Sequence, residues 1–111
     1  MTNKHINTQL YWKLHREHTA FKNWLMKQSP GVIIENAYKY AMMEDMLLTF
    51  ENNNLSDEQA KALLKGQGHL EKIMDRWQAD GTGHMDSMWQ KAQKYAAEMA
   101  EKQARIKDRG R

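Results

Sequence analysis

The chain reads as an all-α protein, a single-domain bundle of about five helices with an extended C-terminal helix. Three observations predict it. Apolar residues recur at three- and four-residue steps through most of the sequence. One proline and six glycines punctuate it, with no series of short alternating strands between them. And the run Leu55-Ser-Asp-Glu-Gln-Ala-Lys-Ala-Leu-Leu-Lys-Gly66 writes out one whole helix with its own start and stop.

The first helix is expected from about Asn7 or Thr8 to Gln28, where Leu10, Leu14, Phe21 and Leu25 share a face. Ser29-Pro30-Gly31 ends it and starts the next, with Ser29 as cap and Pro30 in the first turn, where a missing N–H costs nothing. The second helix, about Pro30 to Glu51, is apolar on more than one face through Ile33, Ile34, Ala37, Tyr38, Ala41, Met42 and Leu48. Such a helix is expected centrally, touched by several neighbours. Asn52-Asn53-Asn54 turns the chain. In the third helix Ser56 and Gln59 stand at capping-box spacing, Asp57 and Glu58 complement the dipole, and Gly66 supplies the left-handed stop. The fourth, about His69 to Ala79, carries Leu70, Ile73, Met74 and Trp77 at i, i+3, i+4, i+7. The fifth, about His84 to Asp108, repeats Met85, Ala92, Met99 and Ile106 every seven residues, then thins to Ala, Lys, Gln, Glu and Arg. Residues 1–90 are therefore read as the helical core and 91–111 as a basic helical extension.

Composition excludes several functions. At 111 residues without cysteine, the chain has no disulfide framework, zinc–thiolate site, iron–sulfur cluster or thiol nucleophile. No signal-like apolar run opens it and none is long enough to span a bilayer, so a cytoplasmic protein without membrane partners is expected. Charge is segregated. Residues 1–28 hold five Lys/Arg against one acid, 29–54 one against four, 55–80 four against five, and 81–111 seven against four. The ends are basic and the middle is acidic.

The same capped helix carries a resemblance. Asn7-Thr-Gln-Leu-Tyr11, Phe21…Trp24-Leu25, Glu44-Asp-Met-Leu47, the Leu55–Lys65 run, Leu70, Trp77 and His84-Met-Asp86 resemble a family of small bacterial proteins, domain of unknown function 3848. The resemblance covers about residues 7–90. It implies an origin on mobile elements of Gram-positive gut bacteria, and it brings no active site. The stretch from Lys91 to Arg111 looks longer and more basic than the family carries.

The candidate chemistry is thin. His15 and His18, three apart, lack a fixed third ligand for zinc. Glu44 and Asp45 are adjacent and point about 100° apart, so they do not share a site; one is expected in water and the other paired with a cation of the first helix. Gly66-Gln-Gly68 and Gly81-Thr-Gly83 follow no strand and read as helix caps rather than phosphate loops. The third and fourth helices could form a helix-turn-helix, with Glu71, Lys72, Asp75 and Arg76 on its reading face, a poor surface for phosphates. No cofactor and no catalytic residue is expected.

Two functional expectations remain. The first is a non-enzymatic interaction module that binds and occludes a host or element-encoded protein complex, an anti-CRISPR inhibitor being its specific form. Its contact residues would be Trp12, off the Leu10/Leu14 stripe, and a seam of Met85, Met88 and Trp89 on the fifth helix, which could also support self-association. The alternative is a nucleic-acid-binding accessory protein using the basic ends, above all Lys102, Arg105, Lys107, Arg109 and Arg111.

Overall fold

A computed structural model describes residues 2–79 and 85–109. It contains five helices: α1 (Asn3–Leu25), α2 (Pro30–Asn52), α3 (Asp57–Leu64), α4 (His69–Ala79) and α5 (Met85–Arg109). No strand occurs among the described residues, and no helix is long and apolar enough to cross a membrane. The all-α bundle expected from the apolar periodicity is the fold.

The helix ends follow local chemistry. α1 begins four residues earlier than the apolar stripe suggests, because the Thr2 hydroxyl accepts from the His5 N–H at 3.1 Å. Ser29 occupies the N-cap of α2 without a side-chain cap bond; Pro30 already removes one unsatisfied donor there. The capping box of α3 is formed: Ser56 Oγ accepts from Gln59 N and Gln59 Oε1 accepts from Ser56 N, both at 3.3 Å. Gly66 has φ +78°, and a Cβ placed on it would stand 3.3 Å from His69 Nε2, so both backbone and space call for glycine.

The core lies between α1, α3, α4, the C-terminal half of α2 and α5. Leu10, Leu14, Met46, Leu63, Leu70, Ile73, Trp77 and Tyr95 are fully enclosed there. Ala92, Tyr95 and Ala96 are buried too, so the core does not stop at residue 90. The proposed division there is not a packing boundary; α5 lies against α3 as far as Gln103, whose amide donates to the Ala62 carbonyl at 3.0 Å. The heptad of α5 is an internal seam rather than a dimer seam. Ala92 is fully buried and Met99 packs on the core, leaving only Ile106 of the described pair beyond it exposed.

Polar side chains of α1 position α3 and α4. Asn7 clamps the backbone of Leu55, donating to its carbonyl at 3.0 Å and accepting from its N–H at 2.9 Å. Lys13 Nζ donates to the Leu63 and Gly66 carbonyls at 2.8 and 2.6 Å. Glu17 accepts from the N–H groups of Gly68 and Leu70 at 3.2 and 3.1 Å. A cation thus closes the C-terminus of α3 and a carboxylate the N-terminus of α4, each matching the helix dipole. Below them His69 is buried, its Nδ1 2.6 Å from the Tyr95 hydroxyl and its Nε2 against the Lys65 carbonyl. A carbonyl only accepts, so Nε2 carries the proton, and in the neutral ring that burial favours the Tyr95 hydroxyl donates to Nδ1.

Two outcomes follow. Glu17→Ala should lower stability by about 1–2 kcal/mol through loss of the cap, and Lys13→Ala by about 2 kcal/mol by orphaning two carbonyls. Urea denaturation measures both, and values near zero would refute the clamp. Burial holds the His69 pKa below the ordinary histidine value. The unfolded chain therefore binds the extra proton first, so stability is full above about pH 6.5 and falls as the pH drops below it. The melting temperature should decline from neutral to mildly acidic pH, and His69→Gln should flatten that slope.

Candidate interaction surface

α2 faces two ways. Its inner side carries Met43, Met46, Leu47 and Phe50, all buried. Its outer side carries Ile34, Ala37, Tyr38, Ala41 and Leu48, all exposed; Ile34 is 75 % exposed, Tyr38 53 % and Leu48 44 %. α2 is touched by several neighbours as expected, α1, α4 and α5, but they cover one side of it only; among the described residues nothing covers the other. Exposed apolar residues continue into the α1–α2 connection at Trp24 and Met26. Isolated exposed leucines are ordinary; apolar side chains grouped along one helix face are characteristic of contact surfaces.

The α1–α2 pair is held by contacts that leave this outer side free. His18 is buried, stacked on Tyr40 at 4.7 Å with a ring nitrogen 3.3 Å from the Tyr40 carbonyl. It is thus a packing residue, while His15 sits against Tyr11 and Trp12. Among the described residues no cluster of His, Cys, Asp and Glu could hold a metal ion. Lys39, the one cation of α2, lies at 2.8 Å from Glu71 and 3.5 Å from Asp75 of α4. Glu44 is exposed and its charge, after burial, helps raise the pKa of Tyr40, and Asp45 is half-buried. Neither makes the expected ion pair with α1 among the described residues, since the α1 cation nearest the core, Lys13, is committed to α3.

The other sequence-derived candidates divide clearly. Trp12 is 51 % exposed, standing edge-on to Tyr11 at 5.3 Å between two shallow grooves, one bordered by Lys4 and Asn53 and one by His5 and Arg16. It is an available anchor. Met88 is 2 % exposed and belongs to the core, so it is not part of an outward seam. Trp89 is half-buried, edge-on to Phe50 at 5.3 Å, and its ring serves internal packing as well. The side chain of Met85 lies outside the described residues. Met88 and Trp89 of α5 face the helices of their own chain.

The basic end of α5 is partly neutralised. Arg105 pairs with Glu101 at i, i+4, and Lys102 is exposed. The side chains of Lys107 and Arg109, and Arg111 as a whole, lie outside the described residues, as does the Gly81-Thr-Gly83 loop. The helix-turn-helix reading is not supported by its own residues. Glu71 and Asp75 are engaged by Lys39, and Arg76 pairs with Glu98 while its guanidinium lies 4.8 Å over the Tyr95 ring.

Residues 6–101 match the model of a family described as a protein of unknown function, DUF3848. The chain belongs to this family. The family match runs eleven residues beyond the sequence resemblance, through most of α5, in agreement with the buried Tyr95 and Ala96. No curated protein and no solved structure matches the chain. The DUF3848 model thus supplies a boundary, and the uncovered face of α2 supplies the candidate site.

Core and surface assignments differ in cost. Met88→Ala should destabilise by about 2–5 kcal/mol, the range for a truncated core side chain. Ile34→Ala should change stability by no more than about 0.5 kcal/mol. Thermal and urea unfolding of the two variants check this, and equal losses would place Ile34 in a covered interface.

Proposed function

We propose that this protein is a non-enzymatic interaction module whose outer α2 face docks on a partner protein. The observation that supports this reading is that face itself: Ile34, Tyr38 and Leu48 stand exposed along one side of a helix whose other side enters the core through Met43, Met46, Leu47 and Phe50. Burying what is still exposed of these three side chains supplies roughly 2–5 kcal/mol of gross apolar transfer before association costs. Trp24 and Met26 extend the surface at one end. The mode of action that we infer is occlusion: a small rigid bundle bound over a working surface of a larger complex. A host defence complex is the target class in this reading, and inhibition of a CRISPR effector its specific form.

A second reading has its own observation. Glu17 is the only acid of α1 and is turned into the N-terminus of α4. Lys4, Arg16 and Lys22 therefore line the exposed side of α1 beside Trp12 without a compensating carboxylate from that helix. Cations flanking a free aromatic ring are the components of a single-stranded nucleic-acid platform.

Capture from bacterial lysate separates the two. Tagged protein should retain a protein partner after nuclease treatment and lose it when Ile34, Tyr38 and Leu48 are all replaced by Lys. Material that disappears with nuclease, and that Lys4, Arg16 and Lys22→Gln variants fail to hold, would overturn the first reading in favour of the second.

A further inference from the structure

The outer face of α2 has a register. Ile34, Tyr38, Ala41, Asp45, Leu48 and Asn52 follow one another at steps of four and three. That is the a/d spacing of a coiled-coil strand, with Tyr38, Asp45 and Asn52 at a and Ile34, Ala41 and Leu48 at d. The buried residues Met43, Met46, Leu47 and Phe50 fall at f, b, c and f. The core therefore uses the back of the heptad together with Thr49 and Met42 at e, and leaves Ile34, Tyr38, Ala41, Leu48 and Asn52 of the seam exposed, with Asp45 half-buried among them; from Ile34 to Asn52 the line runs roughly 27 Å.

The flanks of the seam are acidic. Glu35 falls at e, and Glu44 and Glu51 at g; all three are exposed. Asp45 puts a fourth carboxylate in the seam itself. Lys39 falls at b, on the side facing α4, where Glu71 and Asp75 hold it. Charges at e and g choose the partner of a coiled coil, and a polar a position fixes its register. This arrangement selects among occupants. A second copy in symmetric contact would bring two acidic flanks together and is repelled. An anionic lipid surface or a nucleic-acid backbone meets the same repulsion. A helix with apolar a and d positions and Lys or Arg on its flanks meets complementary charge at Glu35, Glu44 and Glu51, with a cation facing Asp45.

We infer that the outer face of α2 is one strand of a two-stranded coiled-coil contact whose other strand is a cationic amphipathic helix of a partner protein. This inference rests on the interaction reading of α2 and specifies the chemistry of the partner.

The test uses the full chain and two synthetic helical peptides of three heptads, with identical Leu a/d positions and either Lys or Glu at e and g. Fluorescence anisotropy at low salt should show the Lys peptide binding at least about tenfold more tightly than the Glu peptide, as charge complementarity dictates. The Ile34→Lys/Leu48→Lys variant should lose binding. The Glu35→Lys/Glu44→Lys/Glu51→Lys variant, altered only at exposed positions, should reverse the preference while circular dichroism shows the same helix content. Equal binding of both peptides, binding that survives I34K/L48K, or a failure of the triple variant to switch would each overturn the proposal. So would sedimentation showing a dimer that I34K disperses, or binding of anionic vesicles lost in the same variant. A photocrosslinker at position 38 distinguishes the levels. Crosslinking to a partner segment that is not a cationic helix would sink this inference and leave the interaction reading standing, whereas no protein crosslink would remove both.

Discussion

The geometry of the bundle depends on one electrostatic clamp, the Lys13–Glu17 pair of α1 on the α3–α4 turn. Lys13 satisfies carbonyls at the end of α3, and Glu17 satisfies N–H groups at the start of α4. Two short helices joined by Gly66-Gln-Gly68 would otherwise present orphan backbone groups to a low-dielectric interior. Removing either partner leaves polar atoms enclosed, so both side chains are tied to the turn. His69 beneath them is caught in the same network: burial favours its neutral ring, Lys65 and Tyr95 hold the ring in place, and the nearby Lys13 charge opposes its protonation. Tyr95 carries the constraint on into α5, where Arg76 covers its ring and pairs with Glu98.

That clamp explains which surfaces are left. α1 spends Asn7, Lys13 and Glu17 on α3 and α4, and Leu10 and Leu14 on the core. Its outer side is left with cations and Trp12. α2 enters the core through its C-terminal half, from Met43 to Phe50, and Lys39 ties its middle to α4. The segment before that has α1 on one side and no helix on the other. The uncovered apolar face thus follows from an arrangement in which α3 is drawn to α1 by polar contacts and α4 meets α2 on its inner side, through Lys39.

The helices were legible in the sequence because their signals are local. The Ser56/Gln59 box, Pro30 in the first turn and the glycine at position 66 each act within a few residues, and their elements stand where they imply. What was not legible is what each apolar face packs against. Two apolar faces on α2 fit equally well a helix surrounded by neighbours and a helix with one face open, because periodicity reports amphipathicity without naming a partner. Met88 looked like an outward seam for the same reason, and its face turned out to meet the helices of its own chain. Asn7, Lys13 and Glu17 were hidden differently. Nothing in the residue types tells a surface lysine from one whose ammonium caps a helix fifty residues away.

Charge is what turns the open face from an unassigned surface into a selective one. An apolar stripe alone would accept a second copy, a membrane or any amphipathic segment. On α2 the carboxylates at positions 35, 44, 45 and 51 surround the stripe, and the only cation of the helix is withdrawn to the α4 side. The acidic middle of the sequence, which composition alone suggested might simply neutralise the basic ends, is thereby concentrated on the side of α2 away from α1 and α4. Bringing like charges together there is unfavourable, and opposite charge on the partner relieves it. In the contact proposed above, a helix that carries positive charge in register with these carboxylates complements both the charge and the spacing of the face.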